Sequence, residues 1–195
     1  MRRACFLTHP NVVVDPALPV PQWPLSDLGR SRVRAGLDQP WVRELTAIYT
    51  SAERKALDTA AILAAHVGLT CSVVEDLGEN DRSATGFLPP PEFERMADAF
   101  FANPDESVRG WESARHAQQR VVAAVAQIVA GDRTSGSLAI VSHGAVGTLL
   151  YCHLSGVAID RVHDQPSNGG GNYYSFVLPA GRPEHRWRPI DAPAA

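Results

Sequence analysis

Short apolar runs that alternate with helix-forming segments are the feature that most limits how this chain can fold. The runs are too brief for helices and suit buried strands, and they are Ala4–Thr8, Ala47–Tyr49, Cys71–Glu75 and Leu138–Val141. Apolar residues at helical spacing occupy the segments between them, and Asn172–Leu178 and Arg186–Ile190 add two late strands. The alternation predicts an α/β fold, a three-layer sandwich with helices on both faces of a mainly parallel central sheet.

Length and local signals predict one domain over residues 1–195, with a small helical insert at about 86–105. A chain of this length buries on folding roughly 70% of the surface that the unfolded chain exposes, so we expect a hydrophobic core that is stable by itself. Thr50 and Glu53 have the spacing of a capping box at the start of a helix. The triplet Gly169–Gly171 lacks the G-K-[ST] ending of a phosphate loop, and we expect a flexible loop there.

Charge and cysteine content exclude several classes of protein. The 18 Lys plus Arg and 21 Asp plus Glu give a net charge of −3, without the basic excess on which nucleic-acid binding depends. The three cysteines form no C-x-x-C pair, and no apolar run approaches the ~20 residues that cross a bilayer. We expect a cytoplasmic protein with reduced thiols that binds neither nucleic acid nor membrane. No coiled-coil or edge-strand pattern fixes its oligomeric state.

Two histidines follow predicted strands directly. His9 comes after Ala4–Thr8, and His143 comes after the strand that ends at Ser142. Ligands of open α/β sheets bind outside the carboxyl ends of the strands, so neighbouring strands would bring the two imidazoles face to face. A helix opens at Gly144, and its free amides favour an anion. The sequence therefore predicts an anion-binding site between His9 and His143.

The motifs around these histidines have a characteristic order. They are Phe6–His9, Trp23–Gly29 (P-L-S-x-x-G), Ser51–Ala60 (S-x-x-x-K-A-x-x-T-A), Leu77–Glu79 (L-x-E), Gly110–Ser113 (G-x-E-S) and Val141–Gly144 (V-S-H-G). In this order and spacing they resemble the histidine phosphatase superfamily, with its phosphoglycerate-mutase-like fold. The resemblance covers about residues 4–172, which is most of the chain.

The resemblance implies a metal-independent and cofactor-independent phosphatase. His9 would attack phosphorus and form a phosphohistidine, which water then hydrolyses. His143 and the amide of Gly144 would bind the transferred phosphoryl oxygens. Glu79 would protonate the leaving group, with Asp81 as the second candidate. The substrate would be a small phosphorylated molecule or a phosphoprotein.

The chain departs from the family pattern at its phosphate-binding arginines. The usual R-H-G reads Thr8-His9-Pro10, and Lys55 stands at the second arginine position. We expect both Thr8 and Lys55 to contact substrate, with Arg82 as the candidate that supplies a guanidinium instead. Charge-assisted hydrogen bonds contribute ~1.5–3 kcal/mol each, so two weakened contacts predict a rate lower by roughly two to four decades.

Two other functions stay open from the sequence. One is a catalytically weakened relative that binds a phosphorylated ligand or partner without turnover. The other is metal-dependent hydrolysis with His9 and His143 as ligands, although the chain has no H-x-H or H-x-x-x-H pair for it. Substrate selectivity is expected from the segments 10–24, 86–105 and 169–172, with Trp23, Phe87 and Trp111 as candidate pocket residues.

Overall fold

A six-stranded sheet runs through the middle of the computed structural model, which describes residues 2–193. The strands lie in the order β3-β2-β4-β1-β5-β6. Pairing is parallel from β3 to β1 and antiparallel at β5 and β6, so the sheet is mostly parallel, as the sequence predicts. The strands are β1 (Arg3–Thr8), β2 (Leu45–Thr50), β3 (Cys71–Val73), β4 (Ser137–Ser142), β5 (Asn172–Val177) and β6 (Arg188–Pro189).

Helices fill the connections between the strands. They are α1 (Asp27–Ala35), α2 (Pro40–Arg43), α3 (Arg54–Val67), α4 (Pro90–Ala102), α5 (Ala114–Gly131) and α6 (Gly144–Ser155). Ser26 and Ser113 cap the N-termini of α1 and α5 by accepting a backbone N–H, and Gly68 ends α3 in the left-handed conformation. Among residues 2–193, none of the helices is long and apolar enough to span a membrane.

Both faces of the sheet are buried, which explains why the central strands are apolar throughout. In β1, Ala4 and Phe6 point to the layer of α4, α5 and α6, whereas Cys5 and Leu7 point to the layer of α1, α2 and α3. Phe6 is fully buried and stacks on Tyr174 with 5.5 Å between ring centres. Truncation of such a core aromatic costs about 3–5 kcal/mol.

The register of β1 and β4 positions the site. These strands are parallel neighbours in which Thr8 pairs with Ser142. The next residue of each strand is a histidine, so His9 and His143 leave the sheet side by side at its carboxyl edge.

The local predictions are wrong in a few places. Thr50 and Glu53 form no capping box, because Thr50 is the last residue of β2 and Glu53 is itself the N-cap of α3. The third strand stops at Val73, since residues 75–77 form a 3₁₀ turn that leads to Glu79. The last strand is limited to two residues that pair with β5.

Candidate active site

The structure brings His9 and His143 into ring contact. Their ring centres are 5.2 Å apart, and the ring planes meet at 64°. His143 is fully buried, whereas His9 is half-buried. Burial lowers the pKa of His143 well below its usual range, so this ring is neutral at pH 7.

Hydrogen bonds fix the tautomer of His9. Its Nδ1 lies 2.9 Å from the carbonyl oxygen of Pro10, and a carbonyl only accepts, so the ring proton is on Nδ1. Burial of the ring is the main cause that lowers the pKa of His9 to about 4, and the positive charge of Lys55 acts in the same direction. The ring is therefore neutral at pH 7, and its lone pair is on Nε2.

Hydrogen bonds connect the side chains of Thr8, Gln165 and Asn172 next to His9. The hydroxyl of fully buried Thr8 donates to Oε1 of Gln165 at 2.8 Å and accepts from the amide of Asn172 at 3.0 Å. The side-chain amide of Asn172 donates to the same Gln165 oxygen at 2.9 Å. The structure thus places Thr8 behind His9, with its hydroxyl engaged, and not in the cavity.

The glycine triplet packs against the backbone of His9. The amide of Gly171 donates to the His9 carbonyl at 3.0 Å. Gly170 has a φ of +78°, and a Cβ there would lie 2.2 Å from the same carbonyl oxygen. This loop supports His9, a role that the prediction of a merely flexible segment missed. Only glycine combines that backbone conformation with so close an approach.

A carboxylate and an ammonium group lie beside His143. Nε2 of His143 is 2.7 Å from the hydroxyl of Ser51 and 3.4 Å from Oε1 of Glu53. Glu53 also forms an ion pair with Lys55, whose side chain is buried and donates to the carbonyl of Val20 at 3.0 Å. The structure therefore places Lys55 at the site, where its ammonium group is already paired with Glu53.

Sequence reasoning missed Glu53 as a site residue, because the capping-box pattern explained it. Burial opposes its ionisation, but at the acid pH where Glu53 titrates the charge of protonated His143, together with Lys55, outweighs burial and lowers its pKa to about 2. Its position between Ser51 and Lys55, just after a strand that ends at the ligand edge, is the signal that points to the site.

Glu79 sits at the N-terminus of α6. Its carboxylate accepts from the amides of Ala145 at 3.2 Å and Val146 at 3.1 Å. Burial raises the pKa of Glu79 above its ordinary value. A carboxyl group with a raised pKa is suited to carry a proton near neutral pH.

The turn that carries Glu79 is fastened from two sides. Arg120 of α5 donates to the carbonyls of Gly78 at 3.0 Å and Glu79 at 3.2 Å, and it pairs with Glu112. The hydroxyl of Ser142, at the end of β4, donates to the carbonyl of Leu77 at 2.6 Å. The carboxyl group of Glu79 is thereby held at a fixed position relative to His143.

Asp81, the second candidate for the acid, lies in a different environment. It is exposed and accepts from the amide of Ser83 at 2.8 Å. That hydrogen bond lowers its pKa, which is opposite to what a proton donor needs. The electrostatics of the site therefore favour Glu79.

Arg82 lines the cavity that contains His9, Glu79 and Gly144. Its guanidinium lies 5.1 Å from the ring centre of Phe93 and 5.6 Å from that of Trp111. Within residues 2–193, Arg82 forms no ion pair with a carboxylate. Among the predicted binding residues, Arg82 thus brings positive charge that no carboxylate has taken.

The cavity around His9 has a volume of about 200 Å³ and opens beside a second one of about 430 Å³ that Glu53, Glu79 and Arg82 share. An apolar cleft of about 230 Å³ continues from Arg82 between Trp23 and Phe87, whose ring centres are 5.7 Å apart. Trp23 and Phe87 therefore line the approach to the site. In the part of the chain that the structure describes, no group of three His, Cys, Asp or Glu side chains has the geometry of a metal site.

A family model described as the histidine phosphatase superfamily, branch 1, matches residues 20–178. The chain belongs to the histidine phosphatase superfamily. The matched residues include Glu79 and His143, whereas His9 precedes them.

Solved structures show the same fold as this histidine phosphatase superfamily member. Mycobacterial glucosyl-3-phosphoglycerate phosphatase in complex with inorganic phosphate is 22% identical, with a TM-score of 0.74 over 98% of this chain and 100% of that chain. YhfR of Bacillus stearothermophilus is 23% identical, with a TM-score of 0.73 over 95% of both chains. No curated protein matches the chain.

Proposed function

We propose that this protein is a phosphomonoester hydrolase that acts through a phosphohistidine on His9 and requires no metal ion or cofactor. Membership of the histidine phosphatase superfamily supports phosphatase activity in general. The observation that carries the proposal is the free Nε2 lone pair of His9, in a ring that faces His143 at 5.2 Å and shares a cavity with Glu79 and Arg82.

In the first step, Nε2 of His9 attacks the phosphorus in line with the ester oxygen. The N–P bond forms as the P–O ester bond breaks, and the leaving oxygen takes the proton of Glu79. The raised pKa of Glu79 favours the protonated starting state.

In the second step, water attacks the phosphohistidine. The Glu79 carboxylate takes a proton from this water, the new P–O bond forms, and the N–P bond breaks with the electron pair returning to Nε2. Inorganic phosphate then leaves, and both His9 and Glu79 are back in their starting states.

The phosphoryl oxygens need hydrogen-bond donors throughout, since charge stabilisation supplies most of the catalysis of phosphoryl transfer. Arg82, Lys55, His143 and the amide of Gly144 are the groups to which we assign this role. Nδ1 of His143 is buried without a hydrogen-bond partner in the described chain, so a bound phosphoryl group would satisfy an otherwise unpaired atom. We assign Thr8 no contact with substrate, because Gln165 and Asn172 engage its hydroxyl.

The substrate is proposed to be a small phosphorylated molecule, in keeping with the volume of about 200 Å³ around His9. Its organic part would extend past Arg82 towards Trp23 and Phe87. The phosphatase neighbour that acts on glucosyl-3-phosphoglycerate supports a small substrate as a class.

Hydrolysis of an aryl phosphate in the presence of a chelator tests the proposal. The wild-type protein should release phosphate, His9→Ala should lose about 10³-fold or more of kcat/KM, and His66→Ala, which changes an exposed histidine of α3, should match the wild type. Equal rates for wild type and His9→Ala would remove the nucleophile, and loss of wild-type activity in the chelator would indicate metal-dependent chemistry.

A second function has its own structural support. Two observations favour a protein that binds a phosphorylated ligand without turnover: Lys55 is paired with Glu53, and Thr8 is buried. Arg82 is then the main positive charge left to bind a phosphoryl group. Vanadate binding that saturates, with no phosphate release from any ester, would identify this function.

A further inference from the structure

Glu53 places a negative charge where the proposed phosphoryl group needs positive charge. One oxygen of its carboxylate accepts from the amide of Glu79 at 2.9 Å and lies 3.4 Å from Nε2 of His143. The other forms the ion pair with Lys55. A backbone amide and an ammonium group are hydrogen-bond donors of the kind that bind phosphate, so Glu53 already occupies part of an anion site.

The titratable groups that face Glu53 come from four segments of the chain. They are Lys55 on α3, His9 after β1, His143 after β4, and Glu79 and Arg82 on the turn before α4. Arg161 and Asp164 line the far side of the His9 cavity, where Arg161 is paired with Glu94 and Asp98.

The groups that face Glu53 leave the phosphoryl site with little net positive charge. Both histidines are neutral, and Glu79 must be protonated to serve as the acid. Lys55 and Arg82 then contribute two positive charges, and Glu53 cancels one of them. The remaining charge of +1 balances a monoanion, whereas a dianion would bring two negative charges next to a fixed carboxylate.

We propose that Glu53 is a specificity-determining residue that restricts the phosphoryl site to the monoanionic form of a phosphate group. This inference rests on the proposed function, because it takes the site beside His9 as the phosphoryl site. Phosphomonoesters pass from monoanion to dianion at about pH 6. The protein would therefore act on phosphomonoesters under mildly acidic conditions and bind them progressively less well as the pH rises.

Calorimetric binding of two probes, methyl phosphate and sulfate, tests the inference without turnover. Methyl phosphate becomes a monoanion below about pH 6, whereas sulfate stays a dianion. The wild-type protein should bind methyl phosphate at pH 5 and lose about tenfold in affinity per pH unit above pH 6. It should bind sulfate at least about tenfold more weakly than methyl phosphate at pH 5.

Three variants isolate the charge of Glu53. Glu53→Gln should bind sulfate, and methyl phosphate at pH 8, about tenfold or more tightly than the wild type. Glu53→Asp keeps the charge and should keep the wild-type pH dependence. Glu184→Gln removes a carboxylate that pairs with Arg3 at the opposite end of β1, and it should also behave as the wild type.

Two results would overturn the inference. One is wild-type protein that binds methyl phosphate equally well at pH 5 and pH 8, or sulfate as tightly as methyl phosphate, a result that needs no variant to fold. The other is Glu53→Gln with unchanged affinities for both probes. Failure of the proposed function is seen separately: the probes would bind as expected, while no ester is hydrolysed and His9→Ala changes nothing.

Discussion

The two histidines leave equivalent positions of neighbouring strands, but the side chains around them differ in kind. Around His9, neutral groups hold one another: Thr8, Gln165 and Asn172 share hydrogen bonds, and Gly171 fixes the backbone. Around His143, the ionisable pair Glu53 and Lys55 lies against the ring. In the proposed mechanism, the His9 side holds the nucleophile in place, whereas the His143 side sets the charge that a substrate meets.

This difference shows how the site can lack its usual arginines. Neither side presents an unpaired cation, since Thr8 carries no charge and Lys55 is committed to Glu53. In the described chain, the positive charge free to meet a phosphoryl group comes from Arg82 on the turn after Glu79. The acid and the main cation of the proposed mechanism therefore lie on one short segment that Arg120 holds in place.

Removal of the acid should have the largest kinetic effect on the His143 side. Glu79→Gln should lower kcat for an alkyl phosphate by about 10²–10⁴-fold, the usual contribution of proton transfer. The loss should be much smaller for a nitrophenyl phosphate, whose leaving group needs little protonation. Asp81→Asn serves as the matched control, and equal losses on both esters would show that Glu79 is not the proton donor.

Arg82 should come next. Arg82→Ala removes a charge-assisted contact worth about 1.5–3 kcal/mol, or about ten- to hundredfold in kcat/KM. Arg82→Lys should restore part of the activity, because an ammonium keeps the charge but lacks the planar fork. Steady-state kinetics with one aryl phosphate measures both variants. Full activity in Arg82→Ala would show that Arg82 does not bind the phosphate and would assign that role to the residues at the ends of β1 and β4.

The pH dependence of the wild type should show the environment of His9. The folded-state pKa of about 4 lies below the ordinary value of about 6.5, so His9 stays unprotonated down to about pH 4. The acid limb of kcat/KM should therefore lie near pH 4, with about tenfold loss per pH unit below it. A limb near pH 6.5 would place His9 in a solvated setting, without the burial that lowers its pKa.

The smallest kinetic effect is expected at Thr8. Thr8→Val keeps the shape but removes the hydroxyl that bonds Gln165 and Asn172, which should lower the free energy of unfolding by about 1–3 kcal/mol. Turnover of the folded variant should change less than about threefold. Denaturant unfolding and kinetics measure the two quantities, with exposed Thr70→Val as control. Loss of turnover with unchanged stability would indicate that Thr8 contacts the substrate.

Sequence reasoning reached the parts of the site that depend on topology. The rule that ligands bind at the carboxyl ends of strands selected His9 and His143, and chain order around Glu79 and Arg82 placed them nearby. It failed where contacts join distant residues. The sequence predicts a phosphate contact for Thr8, because the hydrogen-bond partners that engage its hydroxyl lie more than 150 positions away and cannot be identified from the sequence.

Glu53 shows a second kind of failure. A local rule, the capping box, explained this residue completely and hid its contact with His143, which is 90 positions further along the chain. Local propensity describes how a helix begins, but the parallel pairing of β2 with β4 decides what its first residues meet.

Trapping of the phosphoenzyme tests the central claim most directly. Wild-type protein mixed with a radioactive phosphate donor and quenched after a few milliseconds should carry one acid-labile, base-stable phosphate on His9. The label should be absent from His9→Ala and retained in His66→Ala. A stable label on any other residue, or hydrolysis with no covalent phosphate at any quench time, would contradict the account.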